Sequence, residues 1–317
     1  MIFTITLNPA VDQTLVLPKF TAGDTLRVKS SRFDPGGKGI NVSRVIRELG
    51  GESIAMGFAP GGLGRYVEHA LEEIGIETDF VHTEGETRTN IAILDEARHT
   101  TTLLSAPGPV TDAASVEELR RRLRDRVHAG DWLVVAGSIP PPLTGAVYGE
   151  MIGEANERGI NTVLDADAGP LVSGCAATPR IVKGNRREFE GLVRRPLDDE
   201  ESTLEAIRQV HEGGVPIVLA TRGRAGAVAI YDGHIIRGVA PKVRAVSAVG
   251  SGDALLAAVV LTLSSGGDMK EAMQIGIAAG TAAVLTPGTE LCHRREVDIL
   301  QPRVRVESIA EPVGSRG

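Results

Sequence analysis

The 317-residue sequence is poor in cysteine, in basic excess and in long apolar runs. Its two cysteines, Cys175 and Cys292, stand far apart, with no CxxC pair and no metal-ligand spacing. This excludes a disulfide scaffold and leaves two reduced thiols as the expectation. Net charge is −7, which excludes a general nucleic-acid binder, because such proteins need basic patches to release counterions. The longest apolar stretch, Ala254 to Leu263, is too short to span a bilayer. No charged segment followed by an apolar one opens the chain, so no signal peptide is expected and a cytoplasmic location is. The seven histidines are scattered, without HExxH, and no internal repeat, heptad array or low-complexity tract occurs.

What is present suits a large buried core: 42% of residues are hydrophobic and 24% charged, as in ordinary globular proteins. The length predicts one large domain with a smaller appendage. Apolar runs at Ile2–Leu7, Ser53–Phe58, Trp132–Ala136, Thr162–Leu164 and Ile217–Ala220 are bounded by turn residues and mostly do not alternate. That pattern suits strands buried on both faces of a parallel sheet. Helical spacing joins Val42, Val45, Ile46 and Leu49. It also joins Val116, Leu119, Leu123 and Val127, behind a capping-box pattern of Ser115 and Glu118. Further helices are expected at Thr144–Arg158 and Thr203–His211. The alternation implies an α/β layered sheet. Gln13–Phe33 and Thr87–Leu104 alternate apolar and polar residues, as exposed antiparallel strands do, and read as a small β lid. A hairpin is expected at Asp232-Gly233. The polar stretch 301–317 is expected to be a loose tail beyond a domain spanning 1–300.

Four segments could carry chemistry. Asp34-Pro-Gly-Gly-Lys-Gly-Ile-Asn41 runs into an amphipathic helix. Its glycines permit close backbone approach, and the helix start adds amides and a positive dipole end. A tight strand-to-helix turn explains one glycine but not three flanked by Lys38 and Asn41. It is neither a Walker A loop nor GxGxxG. Val249-Gly-Ser-Gly-Asp253 precedes a wholly apolar segment that can only be a buried helix. Gly250, Ser251 and Gly252 therefore offer free amides to phosphate oxygens, and Asp253 beside them could accept a hydroxyl proton. An aspartate there could instead merely complement the helix dipole. In Lys183-Gly-Asn-Arg-Arg-Glu188, Asn185 and Glu188 could organise waters around Mg²⁺, or simply begin a helix. Thr221-Arg-Gly-Arg ends a predicted strand, where open α/β sheets bind ligands, or is a plain turn. Asp12, Arg27 and Arg88 are single polar residues that could meet over the sheet edge, Arg being suited to phosphate.

In order and spacing, TLNPAVD, GGKGIN, TRTNIAIL, AGSIPP, KGNRREF, VGSGD and AAGTAAVLTPGTELC resemble the ribokinase-like sugar kinases, in the phosphofructokinase branch of the PfkB type. The resemblance implies a three-layer α/β/α sandwich with a β-sheet lid, a homodimer whose lids pack together, and ATP with Mg²⁺ as cofactors. It implies Asp253 as catalytic base, with Gly250, Ser251 and Gly252 as the anion hole. It places Asp12, Gly37, Lys38, Asn41, Arg88 and Ser138 around a sugar phosphate, with Arg27 nearby from the lid. It puts Lys183, Asn185, Glu188, Thr221 and Gly223 beside ATP, and Gly280 near the adenine. No direct protein ligand to Mg²⁺ is expected; the ion would be held through ATP and waters near Asn185 and Glu188. The sequence departs from the family at Asp165-Ala-Asp-Ala168, where Asp-Thr-Ser-Gly is usual, at Ala248, and at Arg222 within Thr221-Arg-Gly223. Lys38 resembles the 1-phosphofructokinase and tagatose-6-phosphate kinase types, whereas PGTELC resembles the 6-phosphofructokinase type. The expected activity is phosphorylation of fructose 1-phosphate to the 1,6-bisphosphate, with fructose 6-phosphate or tagatose 6-phosphate as alternative acceptors. A non-catalytic sugar-phosphate or nucleotide sensor and a dinucleotide-dependent oxidoreductase are the readings from other classes.

Overall fold

In the computed structural model, residues 1–309 are described. Ten strands among them form the main sheet. Seven run parallel: β1 (Ile2–Thr6), β4 (Ile54–Phe58), β5 (Glu77–Val81), β8 (Trp132–Ala136), β9 (Asn161–Asp165), β10 (Ile181–Asn185) and β11 (Ile217–Thr221). Antiparallel strands β12 (Ala227–Tyr231), β13 (His234–Val239) and β14 (Arg305–Ile309) extend one edge. The sheet order is β14-β13-β12-β11-β10-β9-β8-β1-β4-β5. The β12–β13 turn has positive φ at both Asp232 and Gly233, the backbone of the expected two-residue hairpin.

Both sheet faces are covered, which is why the strands read as continuous apolar runs. Trp132 and Val134 face one layer, with α1 (Lys38–Glu48), α8 (Ser251–Ser264), α9 (Met269–Ala283) and α10 (Arg294–Leu300). Leu133 and Val135 face the other, with α3 (Ala113–Arg126), α4 (Ala146–Glu157), α6 (Arg186–Val193) and α7 (Glu200–Glu212). The result is the three-layer α/β/α sandwich that the resemblance implied. A third cluster, under α2 (Gly61–Glu73), joins Val67 and Leu71 to Val11 at the root of the lid. No helix among the described residues is long and apolar enough to cross a membrane.

The lid is a four-stranded sheet ordered β3-β2-β6-β7, with β2 at Ala10–Leu17, β3 at Ser30–Gly36, β6 at Arg88–Asp95 and β7 at Thr100–Leu104. β1 passes into β2 within a few residues, and β3 passes directly into α1, so the lid is rooted in the strand ends. Its central β2–β6 pair is parallel; only the outer pairs are antiparallel, as expected.

Two expectations are corrected. The N-cap of α3 is Asp112, whose carboxylate accepts from the Ser115 amide at 2.7 Å. The chain turns into the helix three residues before the Ser115–Glu118 pattern, and Glu118 instead pairs with Arg121 and Arg122. Residues 301–309 are not a loose tail: 301–303 form a 3₁₀ turn, and β14 pairs with β13. An edge strand needs only main-chain partners, so its polar side chains hid it. The remaining tail, 310–317, lies outside the described residues.

Candidate active site

The parallel strands all end at one edge, where the segments singled out above converge. α8 begins there. Its N-cap, Gly250, has φ +72°, a left-handed turn that favours glycine. The first intrahelical bond runs from the Ala254 amide to the Gly250 carbonyl at 2.8 Å. The amides of Ser251, Gly252 and Asp253 precede it and have no intrahelical acceptor. The Ser251 hydroxyl turns back to donate to the Ala248 carbonyl at 3.0 Å. The rest of α8 is wholly buried from Asp253 to Val260, so the amide mouth is fixed by the core.

Asp253 is 7% exposed. Its Oδ2 accepts from Asn41 Nδ2 at 2.8 Å, so the first turn of α1 orients it. Its carboxyl is pushed above the ordinary value of 3.8, first by burial and then by Asp165, while Lys183, Lys38 and Asn41 pull it down. Lys183, on β10, has a side chain only 4% exposed. Its ammonium lies against Gly252: a Cβ there would sit 2.8 Å from Nζ. Asp165, fully buried at the end of β9, binds Lys183 through Oδ2 at 2.8 Å and Lys38 through Oδ1 at 2.9 Å. Lys38 also meets Glu188 at 3.0 Å and Asp167 at 3.5 Å.

Glu188 and Asn185 form a capping box on α6: the Glu188 amide donates to Asn185 Oδ1 at 3.1 Å, and the Asn185 amide to Glu188 Oε2 at 2.6 Å. The helix-start reading of this pair is thus realised. Each Glu188 oxygen keeps a free lone pair, so water-mediated contact with a nucleotide-bound cation remains compatible with it.

The second half of the site lies where the lid joins the sheet. Arg88, the first residue of β6, donates to the carbonyls of Ala106 (2.8 Å) and Asn8 (3.0 Å) and to Ser138 Oγ (3.2 Å). Its Nε is buried without an acceptor, and Asn8 Oδ1 is buried without a donor. No carboxylate among the described residues lies within ion-pair distance of Arg88. Burial lowers its affinity for a proton, against the pull of Asp12 and Asp167. A cation so placed suits an anionic ligand. Asp12 Oδ1 accepts from Asn90 Nδ2 at 2.8 Å, and burial raises its carboxyl.

Gly37, the N-cap of α1, has φ +117°, and a Cβ there would lie 2.6 Å from Thr6 Cγ2; it lets α1 begin against β1. Lys38, expected near the sugar phosphate, points its ammonium into the carboxylates beside Lys183. Gly280 packs α9 on α8, where a Cβ would lie 2.9 Å from the Ser251 carbonyl. Thr221 turns its hydroxyl towards the Gly184 carbonyl at 3.4 Å, and Gly223 is exposed in a 3₁₀ turn with φ +55°. Arg222 pairs with Glu200 at 2.6 Å, in the first turn of α7. Arg27 is not brought to the site. It is exposed in the loop between β2 and β3, with no hydrogen bond or ion pair among the described residues.

Asn8, Asn90, Asp165 and Asp167 were not singled out as site residues. Asp165 carried a readable signal, its place at the carboxyl end of a strand. Asn8 and Asn90 carried none beyond lying beside such positions.

A buried carboxylate beside an open helix mouth, backed by an ammonium, is the equipment of phosphoryl transfer. The pfkB family of carbohydrate kinases matches residues 4–295, and the chain belongs to that family. It is therefore a kinase with an alcohol acceptor, and the dinucleotide reading falls. A 1-phosphofructokinase of Borreliella burgdorferi is 32% identical over 98% of this chain and 99% of its own. The ATP-dependent 6-phosphofructokinase isozyme 2 of Escherichia coli is 30% identical over 92% and 94%. The crystal structure of phosphofructokinase-2 from Escherichia coli, in complex with substrates and products, superposes with a TM-score of 0.91. It is 29% identical and covers 95% of this chain and 98% of that one.

Proposed function

We propose that the protein transfers the γ-phosphoryl group of ATP to a phosphohexose, with fructose 1-phosphate as first choice of acceptor. Fructose 6-phosphate and tagatose 6-phosphate follow. The observation that carries this reading is Asp253, buried beside unpaired α8 amides and the Lys183 ammonium. Asp253 accepts the proton of the attacking hydroxyl. The amides of Ser251, Gly252 and Asp253 hold the oxygens of the migrating group, and Lys183 neutralises charge on them. Arg88, lacking a carboxylate partner, orients the acceptor's phosphate with Asp12, Asn41 and Ser138 nearby. Thr221 and Gly223 line the nucleotide side, and Gly280 the adenine end. Asn185 and Glu188 would hold Mg²⁺ through waters once ATP is bound, and the ion would supply charge neutralisation to the phosphates.

The relatives' names support a cytoplasmic metabolic enzyme. A homodimer through the lids is supported by the lid's outer face. Gln13, Phe33, Ile91 and Leu104 lie in register across it, and Phe33 and Leu104 are each 51% exposed.

The test is ADP release against a panel of phosphohexoses, with Asp253→Asn alongside. The expected wild-type result is turnover with the highest kcat/KM on fructose 1-phosphate. Asp253→Asn keeps the size of the side chain and removes the base. Its turnover should drop by on the order of 10²–10⁴, with ATP binding retained. Near-normal turnover in that variant would remove the base; ligand binding without ADP formation by the wild type would make the protein a sensor.

A further inference from the structure

We infer that Asp165 is a positioning residue that yokes Lys38 and Lys183 to fixed points on either side of the phosphoryl path. The inference rests on the kinase reading above.

The carboxylate is fully buried, and its two oxygens are divided: Oδ1 takes Lys38 and Oδ2 takes Lys183. The lysines come from different elements, the start of α1 and the strand β10, and among the described residues only Asp165 pairs with both. Lys183 faces the donor through Gly252. Lys38 follows the glycines that connect α1 to the lid. A flexible ammonium delivers transition-state stabilisation only if held where charge develops, and a buried carboxylate bound to two ammoniums supplies that restraint.

Asp165 also sets the charge around the base. The groups facing Asp253 are Asn41 and Lys38 from α1, Asp165 from β9 and Lys183 from β10. Asp165 is the one anion among them, and it raises the Asp253 carboxyl. Its own carboxyl is held down by the two lysines against burial. Asp165 thus stays ionised while Asp253 is kept the better proton acceptor.

The experiment is Asp165→Asn, read by kcat, by the pH profile of kcat/KM, and by the ATP dissociation constant without sugar. The isosteric amide removes the anion and leaves both lysines. Expected results are a kcat lower by on the order of 10²-fold and an ATP dissociation constant unchanged or lower, because the site has lost a negative charge. The acid limb should move to lower pH, because Asp253 no longer faces an anion. A residue that merely supports the fold would weaken ATP binding along with kcat and leave the limb in place; either result overturns the yoke. Should Asp165→Asn not fold, Lys183→Met and Asp165→Asn/Lys183→Met serve instead, since the double variant removes both members of one buried pair. The limb should again lie lower in the double variant than in Lys183→Met, and coincident limbs overturn the inference. A wild type inactive on every phosphohexose would overturn the substrate reading alone. The ATP dissociation constant of Asp165→Asn would still judge the yoke: a rise refutes it, no rise upholds it.

Discussion

Replacing Gly252 with alanine adds one methyl group at the second position of α8. Its carbon would lie 2.8 Å from Lys183 Nζ and 3.3 Å from Cε, where ordinary carbon contacts are about 3.5–4.0 Å. The ammonium must retreat by roughly half an ångström or more while Asp165 holds it at 2.8 Å. The methyl also covers the amide mouth. Losing one well-placed donor to a developing oxyanion costs on the order of 10²-fold in rate, about 2.7 kcal/mol. The helix gains: alanine is favoured over glycine in a helix by about 1 kcal/mol. Gly252→Ala should therefore lower kcat/KM about 10²-fold while Tm holds or rises. Gly153→Ala is the control. Gly153 lies within α4, and a Cβ there meets nothing within 4 Å, so the same propensity gain comes without obstruction. Its Tm should rise and its kcat/KM stay unchanged. The assays are coupled ADP release and thermal melting. Wild-type kcat/KM in Gly252→Ala would refute the placement of the phosphoryl group at this mouth. A fall in Tm matching the loss of activity would refute the separation of stability from catalysis.

Other outcomes are equally specific. Because burial and Asp165 raise the Asp253 carboxyl, this proposed base is protonated at a higher pH than an ordinary aspartate. The acid limb of the wild-type kcat/KM profile should lie above the usual carboxylate range, and activity should fall as pH drops through it; a limb at the ordinary aspartate value contradicts this. Arg88→Met should raise KM for the phosphohexose by about 10- to 100-fold, the worth of a charge-assisted hydrogen bond, with KM for ATP unchanged. An equal rise for both substrates would mean that Arg88 serves only the lid. Phe33→Asp with Leu104→Asp should convert a dimer to monomers in sedimentation velocity, and an unchanged sedimentation coefficient would rule out the lid as the interface.

The site was legible where local sequence determines local geometry. The apolar segment after Val249-Gly-Ser-Gly-Asp253 allowed only a buried helix, and a buried helix preceded by glycines has an open amide mouth. Asp232-Gly233 was legible for the same reason, since few residue pairs tolerate two positive φ values. What stayed hidden depends on contacts between distant segments. Lys38 and Asp165 are 127 positions apart, and nothing near either states that they meet. Asn185 and Glu188 carry one pattern that serves a cap or a nucleotide site, and geometry alone shows the cap. The Ser115–Glu118 pattern pointed to a cap three residues too late, because the side chain of Asp112 takes the Ser115 amide first. Arg222 looked anomalous until Glu200, from α7, was seen to hold it.

A helix with no solvent face has no direction in which to slide. From Asp253 to Val260 every residue of α8 is enclosed by the core, so its amides form a stationary anvil. Whatever closure accompanies turnover must carry the acceptor towards those amides through the four links between lid and body: β1 to β2, β3 to α1, β5 to β6 and β7 to α3. The proposed alignment is thereby stored in the buried core, and adjustment is left to the lid.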